Sequence, residues 1–389
     1  MMPMEIAPGI YDVGATDWIV RDFHGYKTER GASYNSYLIV DEKICLIDTV
    51  KACYADELLE KIRRVADPAK IDYVVVNHVE PDHAGALPEV LKAAPNAKFV
   101  ITMQGKNEAL RHYGDGFDFM VVKEGDKISL GSRELTFVPM PMLHWPDNMV
   151  TYCPQDGILF SNDAFGQHYA SSKRFDDEVD EYVLFYEAKK YFANILWPYA
   201  RLIGGALKKA SALDIKMIAP AHGVIWRSKI AQILEKYAAW GTGINGKSVV
   251  IAYDTMWGGT EALARAMVEG AAAAGVKVQL MRMDRTPCST VAAELFEAGG
   301  LLVGSPTLNS GMMPTIGGML VYLKGLQPKG KKAAAFGTCG WAGGAQKDME
   351  AMLTAGGFDL QPGFNCKWRA CVDETEAAWQ FAYEFAKNL

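Results

Sequence analysis

The chain has 389 residues, more than one hydrophobic core usually serves, so two domains are expected, each able to bury its own interior. Its 40 basic and 46 acidic residues give a net charge of −6 with no block of like charge. Nucleic acid and anionic membrane are therefore poor partners, and small-molecule chemistry is the better expectation. No apolar run approaches the roughly 20 residues of a membrane helix, and no N-terminal stretch has a signal-peptide layout, so a cytoplasmic protein is expected.

In chain order, four short apolar runs each end close to a histidine or an acidic residue. Tyr73-Val-Val-Val-Asn77 leads into His78-Val-Glu80-Pro-Asp82-His83, and a helix is expected over Ala84–Ala94. Leu135–Pro139 precedes His144, Gly157–Ser161 precedes Asp163, and Lys216–Pro220 precedes His222. In the hexapeptide the polar residues are too close together for one face of a helix, where ligands recur at i, i+3 or i+4, so a loop at a strand's carboxyl end is expected. The other histidines, His24, His112 and His168, read as structural, although His24 could line the pocket.

His78, Glu80, Asp82, His83, His144, Asp163 and His222 together offer four imidazoles and three carboxylates, enough for two metal ions with three terminal ligands each and one shared carboxylate. Carboxylate with imidazole and no sulfur favours iron or manganese over zinc. Two divalent ions carry +4, the carboxylates offset −3, and a bridging hydroxide would bring the site to neutrality. The seven cysteines, Cys45, Cys53, Cys153, Cys288, Cys339, Cys366 and Cys371, are odd in number, scattered and free of any C-x-x-C pair. That disfavours a disulfide framework, an iron–sulfur cluster and a rubredoxin-like iron site.

Gly241-Thr-Gly-Ile-Asn-Gly246 reads as a flexible joint, which divides the chain into domains 1–245 and 246–389. Beyond it, strands are expected at Ser248–Tyr253, Val276–Met283, Leu301–Gly304, Lys332–Phe336 and Phe358–Asn365. Helices are expected near Glu261–Ala274, Val291–Ala298, Ile316–Leu323, Gln346–Ala355 and Glu374–Asn388. Five such units make a doubly wound parallel sheet.

The segment after the first of these strands, Ala252-Tyr-Asp-Thr-Met-Trp-Gly-Gly-Thr-Glu261, suits a phosphate held by backbone N–H groups and a helix N-terminus. It lacks both the dinucleotide fingerprint and the lysine-bearing nucleotide loop, so a monophosphate such as that of FMN fits better than ATP or NAD. Loops after strands three and four converge on the same edge. Candidate flavin contacts are Thr255, Met256, Trp257, Gly258, Gly259 and Thr260 from the first loop. The second offers Ser305, Pro306, Thr307, Leu308 and Asn309, and the third Thr338, Cys339, Gly340, Trp341 and Gly343.

On these motifs the chain resembles the flavodiiron proteins over nearly its whole length. The resemblance implies an N-terminal metallo-β-lactamase-like αββα sandwich followed by a flavodoxin-like doubly wound sheet. Hydrolases of the first fold usually show His-x-His-x-Asp-His and hold zinc, whereas Glu80 stands where the second histidine would be. By resemblance, His78, Glu80 and His144 hold the iron nearer the flavin, Asp82, His83 and His222 hold the other, and Asp163 bridges. Cys339 departs from the aromatic residue expected at its position. The implied activity is reduction of O2 to water and/or NO to N2O at two non-haem irons, with FMN relaying electrons from an external donor such as rubredoxin. A head-to-tail homodimer or dimer of dimers is implied as well, each flavin facing the partner's irons. Rival readings are a zinc hydrolase with an appended flavodoxin domain, and an electron carrier with a vestigial metal site.

Overall fold

Period-two alternation builds the first half of the protein. The computed structural model describes residues 2–389. In strands Tyr37–Val40, Ile44–Ile47, Ile71–Val75 and Lys98–Ile101 the apolar side chains fall on both faces of one sheet. Leu38, Leu46, Val74 and Phe99 join an outer core with Leu58, Leu59 and Ile62 of helix Ala55–Arg63 and Val90 of helix Leu87–Ala93. Ile39, Cys45, Ile47, Val75 and Val100 face the other way. They pack there with Leu135, Phe137, Met149, Ile158, Phe160 and Ala219 of a second sheet. Strands buried on both faces read as continuous apolar runs, which is why these segments show no polar alternation.

The first sheet has seven strands, the second five, in the order Lys127–Ser129, Glu134–Pro139, Met149–Cys153, Ile158–Asn162, Met217–Pro220. Beyond the second sheet, Trp226 bridges to Ile218 of its edge strand, and its ring meets Phe185 of helix Glu181–Tyr191 at 5.5 Å. Two sheets face to face with helices outside make an αββα sandwich.

The second half is a parallel sheet. Strand Lys277–Arg282 lies at one edge, followed by Gly246–Tyr253, Ala298–Pro306 and Lys332–Cys339. Numbered along the chain the order is 2-1-3-4-5, the flavodoxin arrangement, with its switch point between the first and third strands. Helices Cys288–Glu297, Pro314–Leu326 and Ala345–Ala355 cover one face. Helices Gly259–Ala273 and Val372–Lys387 cover the other.

Two expected elements differ in detail. The fifth strand is two pieces, Asp359–Leu360 and Phe364–Lys367, because Pro362 between them has no N–H to give the ladder. The helix expected over Ala84–Ala94 is also two, Pro81–Ala84 and Leu87–Ala93. Pro81 at the first helical position starts the earlier one, so Asp82 and His83 ride on a helical turn.

By compactness, the first unit holds the chain up to Arg21, with Thr28–Tyr191 and Arg201–Gly241. The second holds Asp22–Lys27, Phe192–Ala200 and Thr242–Leu389. Side-chain bonds tie the two short excursions in: Lys27 N donates to Ser289 Oγ (3.1 Å), and Asn194 Nδ2 donates to Ser289 O (3.1 Å).

Candidate metal centre and flavin cleft

His78 follows strand Ile71–Val75, Asp163 follows Ile158–Asn162, and His222 follows Met217–Pro220, so three strand ends converge on one point. A fourth approach is the loop after Glu134–Pro139, which carries His144 behind a cis Leu143–His144 peptide bond. Two clusters result, one of His78, Glu80, His144 and Asp163, the other of Asp82, His83 and His222.

In the first, His78 Nε2 lies 3.3 Å from Glu80 Oε2 and 3.7 Å from Asp163 Oδ2. His144 Nε2 lies 3.3 Å from Glu80 Oε2 and 3.2 Å from Asp163 Oδ2. In the second, His83 Nε2 is 3.3 Å from Asp82 Oδ1 and 3.0 Å from Asp163 Oδ1. His222 Nε2 is 3.3 Å from Asp82 Oδ2 and 3.4 Å from Asp163 Oδ1. Asp163 thus turns one oxygen to each cluster.

These separations suit a metal ion better than a hydrogen-bond network. Donors that share one cation at ~2.0–2.2 Å stand roughly 3–3.5 Å apart. His83 Nε2, Asp82 Oδ1 and Asp163 Oδ2 are fully buried and have no hydrogen-bond partner. Orphaned buried polar atoms call for an explanation, and cations within each cluster supply it.

The surroundings decide which nitrogen each imidazole offers. His78 Nδ1 lies 3.0 Å from both oxygens of Asp147, and His222 Nδ1 lies 2.7 Å from the Ser33 carbonyl. Those partners can only accept, so each Nδ1 carries the hydrogen and Nε2 is left for the cluster. The Tyr191 hydroxyl donates to Asp163 Oδ1 (2.9 Å), and the His83 carbonyl accepts from Thr49 N and Oγ1 (2.8 and 2.6 Å).

With no cation bound, imidazoles and carboxylates balance one another. Burial alone would pull the histidines down, but bonds to Asp163 and Glu80 push His144 up to about 9. Bonds to Asp163 and Asp82 push His222 up to about 10 in the same way. Burial raises Glu80, yet hydrogen bonds from His144 and His78 outweigh it and bring it down to about 2. Asp163 is likewise held well below the carboxylate range, against its burial, by His83, His144 and His222.

Sequence reasoning missed the residues behind the cluster. Asp48, buried at the end of strand Ile44–Ile47, accepts from Asn77 N (2.7 Å), Asn77 Nδ2 (2.9 Å) and Asn162 Nδ2 (3.3 Å). It joins the residues just before His78 and Asp163. The signal was present, because Ile44-Cys-Leu-Ile-Asp48 is a fifth apolar run ending in an acid. Asp147 had a weaker signal, an acid three residues after His144. His168 is buried with its ring 4.9 Å from that of His222, while His24 and His112 are exposed.

The second site is a cleft of about 420 Å³ at the carboxyl edge of the parallel sheet. Thr255, Met256, Trp257 and Gly259 line it from the first loop, Pro306, Thr307, Leu308 and Asn309 from the second, and Thr338, Cys339, Gly340 and Trp341 from the third. Gly258, Thr260, Ser305 and Gly343, also expected there, are not in the lining. Gly258 adopts φ 83° and donates its N–H to Thr255 Oγ1 (3.0 Å), shaping the loop. Thr260 and Ser305 are buried: the Thr260 hydroxyl lies 3.1 Å from that of Thr338, and Ser305 Oγ accepts from Met313 N (2.9 Å). Ser310, Ala342 and Trp368 complete the wall. Trp368 was missed because it lies past the broken fifth strand, outside any glycine-rich turn. Helix Gly259–Ala273 opens at the cleft, so its free N–H groups suit an anion, and exposed Trp257 and Trp341 suit a flat aromatic ring.

Residues 32–223 match the family described as "ODP family beta lactamase", and residues 251–379 match "Flavodoxin". A protein named nitric oxide reductase from Moorella thermoacetica is 44% identical, the match covering 100% of this chain and 99% of that one. This chain belongs to the flavodiiron proteins. The solved flavodiiron protein from Giardia intestinalis is 38% identical with a TM-score of 0.97, covering 100% of this chain and 96% of that one. The rubredoxin oxygen:oxidoreductase from Desulfovibrio gigas is 39% identical with a TM-score of 0.96, covering 99% and 98%. As a flavodiiron protein, the chain is an oxidoreductase with a non-haem diiron centre and FMN, and the hydrolase reading is not favoured. Among the described residues, no helix is long and apolar enough to cross a membrane.

Proposed function

We propose that this protein reduces O2 to water and/or NO to N2O, taking electrons from a separate donor of the rubredoxin type. His78, Glu80 and His144 would hold one iron, Asp82, His83 and His222 the other, with Asp163 between them. Thr255, Met256, Trp257, Gly259, Pro306–Asn309 and Thr338–Trp341 would hold FMN. The orientation of Asp163 supports this reading most directly: one oxygen faces each cluster, at 3.2 Å from His144 Nε2 and 3.0 Å from His83 Nε2.

When bound, two irons and FMN supply up to four electrons, enough for O2 to two waters, while two NO to N2O needs two. The chain supplies position, charge and shelter. Asp147 and the Ser33 carbonyl fix two imidazoles in the tautomer that presents Nε2. Tyr191 donates to Asp163 and steadies the shared carboxylate. Burial keeps bulk water from the carboxylates and strengthens each charge interaction there.

We further propose domain limits of 1–245 and 246–389, a cytoplasmic setting, and a head-to-tail homodimer or dimer of dimers. The test is anaerobic assay of iron- and FMN-loaded protein with NO and with measured O2, using reduced rubredoxin as donor. Consumption of either gas is the expected result. Two zinc ions per chain with β-lactam or thioester hydrolysis, and no gas consumption, would overturn it.

A further inference from the structure

Trp368 stands at the flavin cleft on a backbone that works against its side chain. It is the first residue past strand Phe364–Lys367, which pairs with Lys332–Cys339 so that Lys367 lies opposite Cys339. Its N–H donates to the Cys339 carbonyl (2.8 Å), one rung beyond that ladder. Its φ is 58°, in the left-handed region that bulky side chains avoid. Two glycines make room for it. A Cβ on Gly340 would stand 2.9 Å from the Trp368 ring, and one on Gly259 would stand 2.8 Å from the Trp368 carbonyl oxygen, both inside van der Waals contact. The ring so placed lies 5.7 Å from that of Trp341, tilted by 46°, a favourable separation for an aromatic pair.

Packing within the fold does not account for this arrangement. Trp368 is 64% exposed, so it buries little apolar area in return for its conformation. Glycine would hold the same turn without strain. Strained residues that persist gather at functional sites, and this one lines the cleft beside Trp341. Trp341 is itself 88% exposed, and an indole so open to water changes rotamer freely unless a neighbour holds it.

We propose that Trp368 is a positioning residue that braces the Trp341 indole where it meets the flavin, and through it favours oxidised over reduced FMN. The oxidised ring system is planar and electron-poor, and the fully reduced one is electron-rich and bent. An indole face, which is electron-rich, therefore stacks better on the oxidised form. The inference rests on the cleft being the FMN site, which is part of the proposed function.

The test uses full-length protein stripped of flavin, titrated with oxidised FMN and, without air, with reduced FMN. Trp368→Ala should bind oxidised FMN roughly threefold to tenfold more weakly and reduced FMN with a smaller loss, and Trp368→Phe should keep most of both affinities. The midpoint potential of bound flavin rises accordingly in Trp368→Ala. Trp368→Gly suits the left-handed backbone, so its flavin-free form should unfold no earlier than wild type on heating, yet bind oxidised FMN as weakly as Trp368→Ala. In a Trp341→Ala background, Trp368→Ala should add little, because the brace has lost what it holds. Wild-type affinity in Trp368→Gly, equal losses for the two oxidation states, or a Trp368→Ala loss that is undiminished without Trp341 overturns the inference. Trp341→Ala that binds FMN like wild type overturns the cleft assignment, and the inference falls with it.

Discussion

The two sites of this protein are built in opposite ways. The metal centre takes seven side chains from four separate approaches and buries most of them, with His78 at 0% exposure and Asp163 and His222 at 1%. The flavin cleft takes three loops from one sheet edge and leaves its aromatic wall open, with Trp257 at 96% and Trp341 at 88%. Side chains of distant origin, out of water, must be fixed one by one with hydrogen bonds, hence Asp48, Asp147, Tyr191 and the Ser33 carbonyl. Loops at a switch point are positioned by the sheet, and backbone N–H groups do the binding. Damage to the first site should therefore be severe and pH-dependent, and damage to the second graded.

The largest expected effect is at Asp163. Asp163→Ala removes the carboxylate that faces both clusters, and both irons and roughly a thousandfold or more of gas-reducing activity should go with it, beyond the ~10–100-fold typical of outer partners. FMN absorbance should stay, so the measurement is metal content against flavin content in one sample. Equal loss of both would break the contrast between the sites.

Iron affinity should also depend steeply on pH. His144 and His222, raised to about 9 and about 10 in the metal-free protein, must each lose a proton to bind a cation. Affinity should then rise with pH from neutrality toward 9, by up to roughly a hundredfold per pH unit if both protons are released. FMN affinity, measured over the same range, should stay flat by comparison.

Asp147→Asn keeps the shape but can turn an N–H toward His78 Nδ1. Loss of roughly 10–100-fold in iron affinity or turnover is expected. Trp341→Ala should weaken FMN binding by roughly threefold to tenfold, the ~0.5–1.5 kcal/mol of an aromatic pair, and leave iron content unchanged in equilibrium dialysis.

Glu187 should touch neither site and still show in stability. Burial outweighs the attraction of Lys190 and Arg30 and raises it from 4.5 to about 7. A raised acid binds its proton more tightly in the folded state, so the fold loses stability as pH climbs from 4.5 to 7 and stays weakened above. Glu187→Gln does not ionise, so relative to wild type it should gain up to roughly 3 kcal/mol across that window. Urea denaturation at pH 5 and pH 8 checks this, and a constant difference between the two would count against it.

Much of this organisation was legible because apolar runs that end in His or Asp mark strand ends in a sheet buried on both sides. His78, His144, Asp163 and His222 were found that way, and the seven candidates do fall together in space. The rule was not carried to Ile44–Asp48, and so the acid that joins Asn77 to Asn162 was missed. Trp368 gave no local sign at all, because it sits beyond a proline-broken strand.

The two-fold division of labour, the ligand chemistry and the strand–helix alternation of the second half were written in the order of residues, since periodicity and turn chemistry act over a few positions. Tertiary structure alone decided which oxygen of Asp163 faces which cluster, which nitrogen each imidazole offers, and which acids stand behind them. Those choices depend on hydrogen bonds between residues tens to nearly two hundred positions apart, such as His78 with Asp147 and His222 with Ser33, and no local pattern encodes such a meeting.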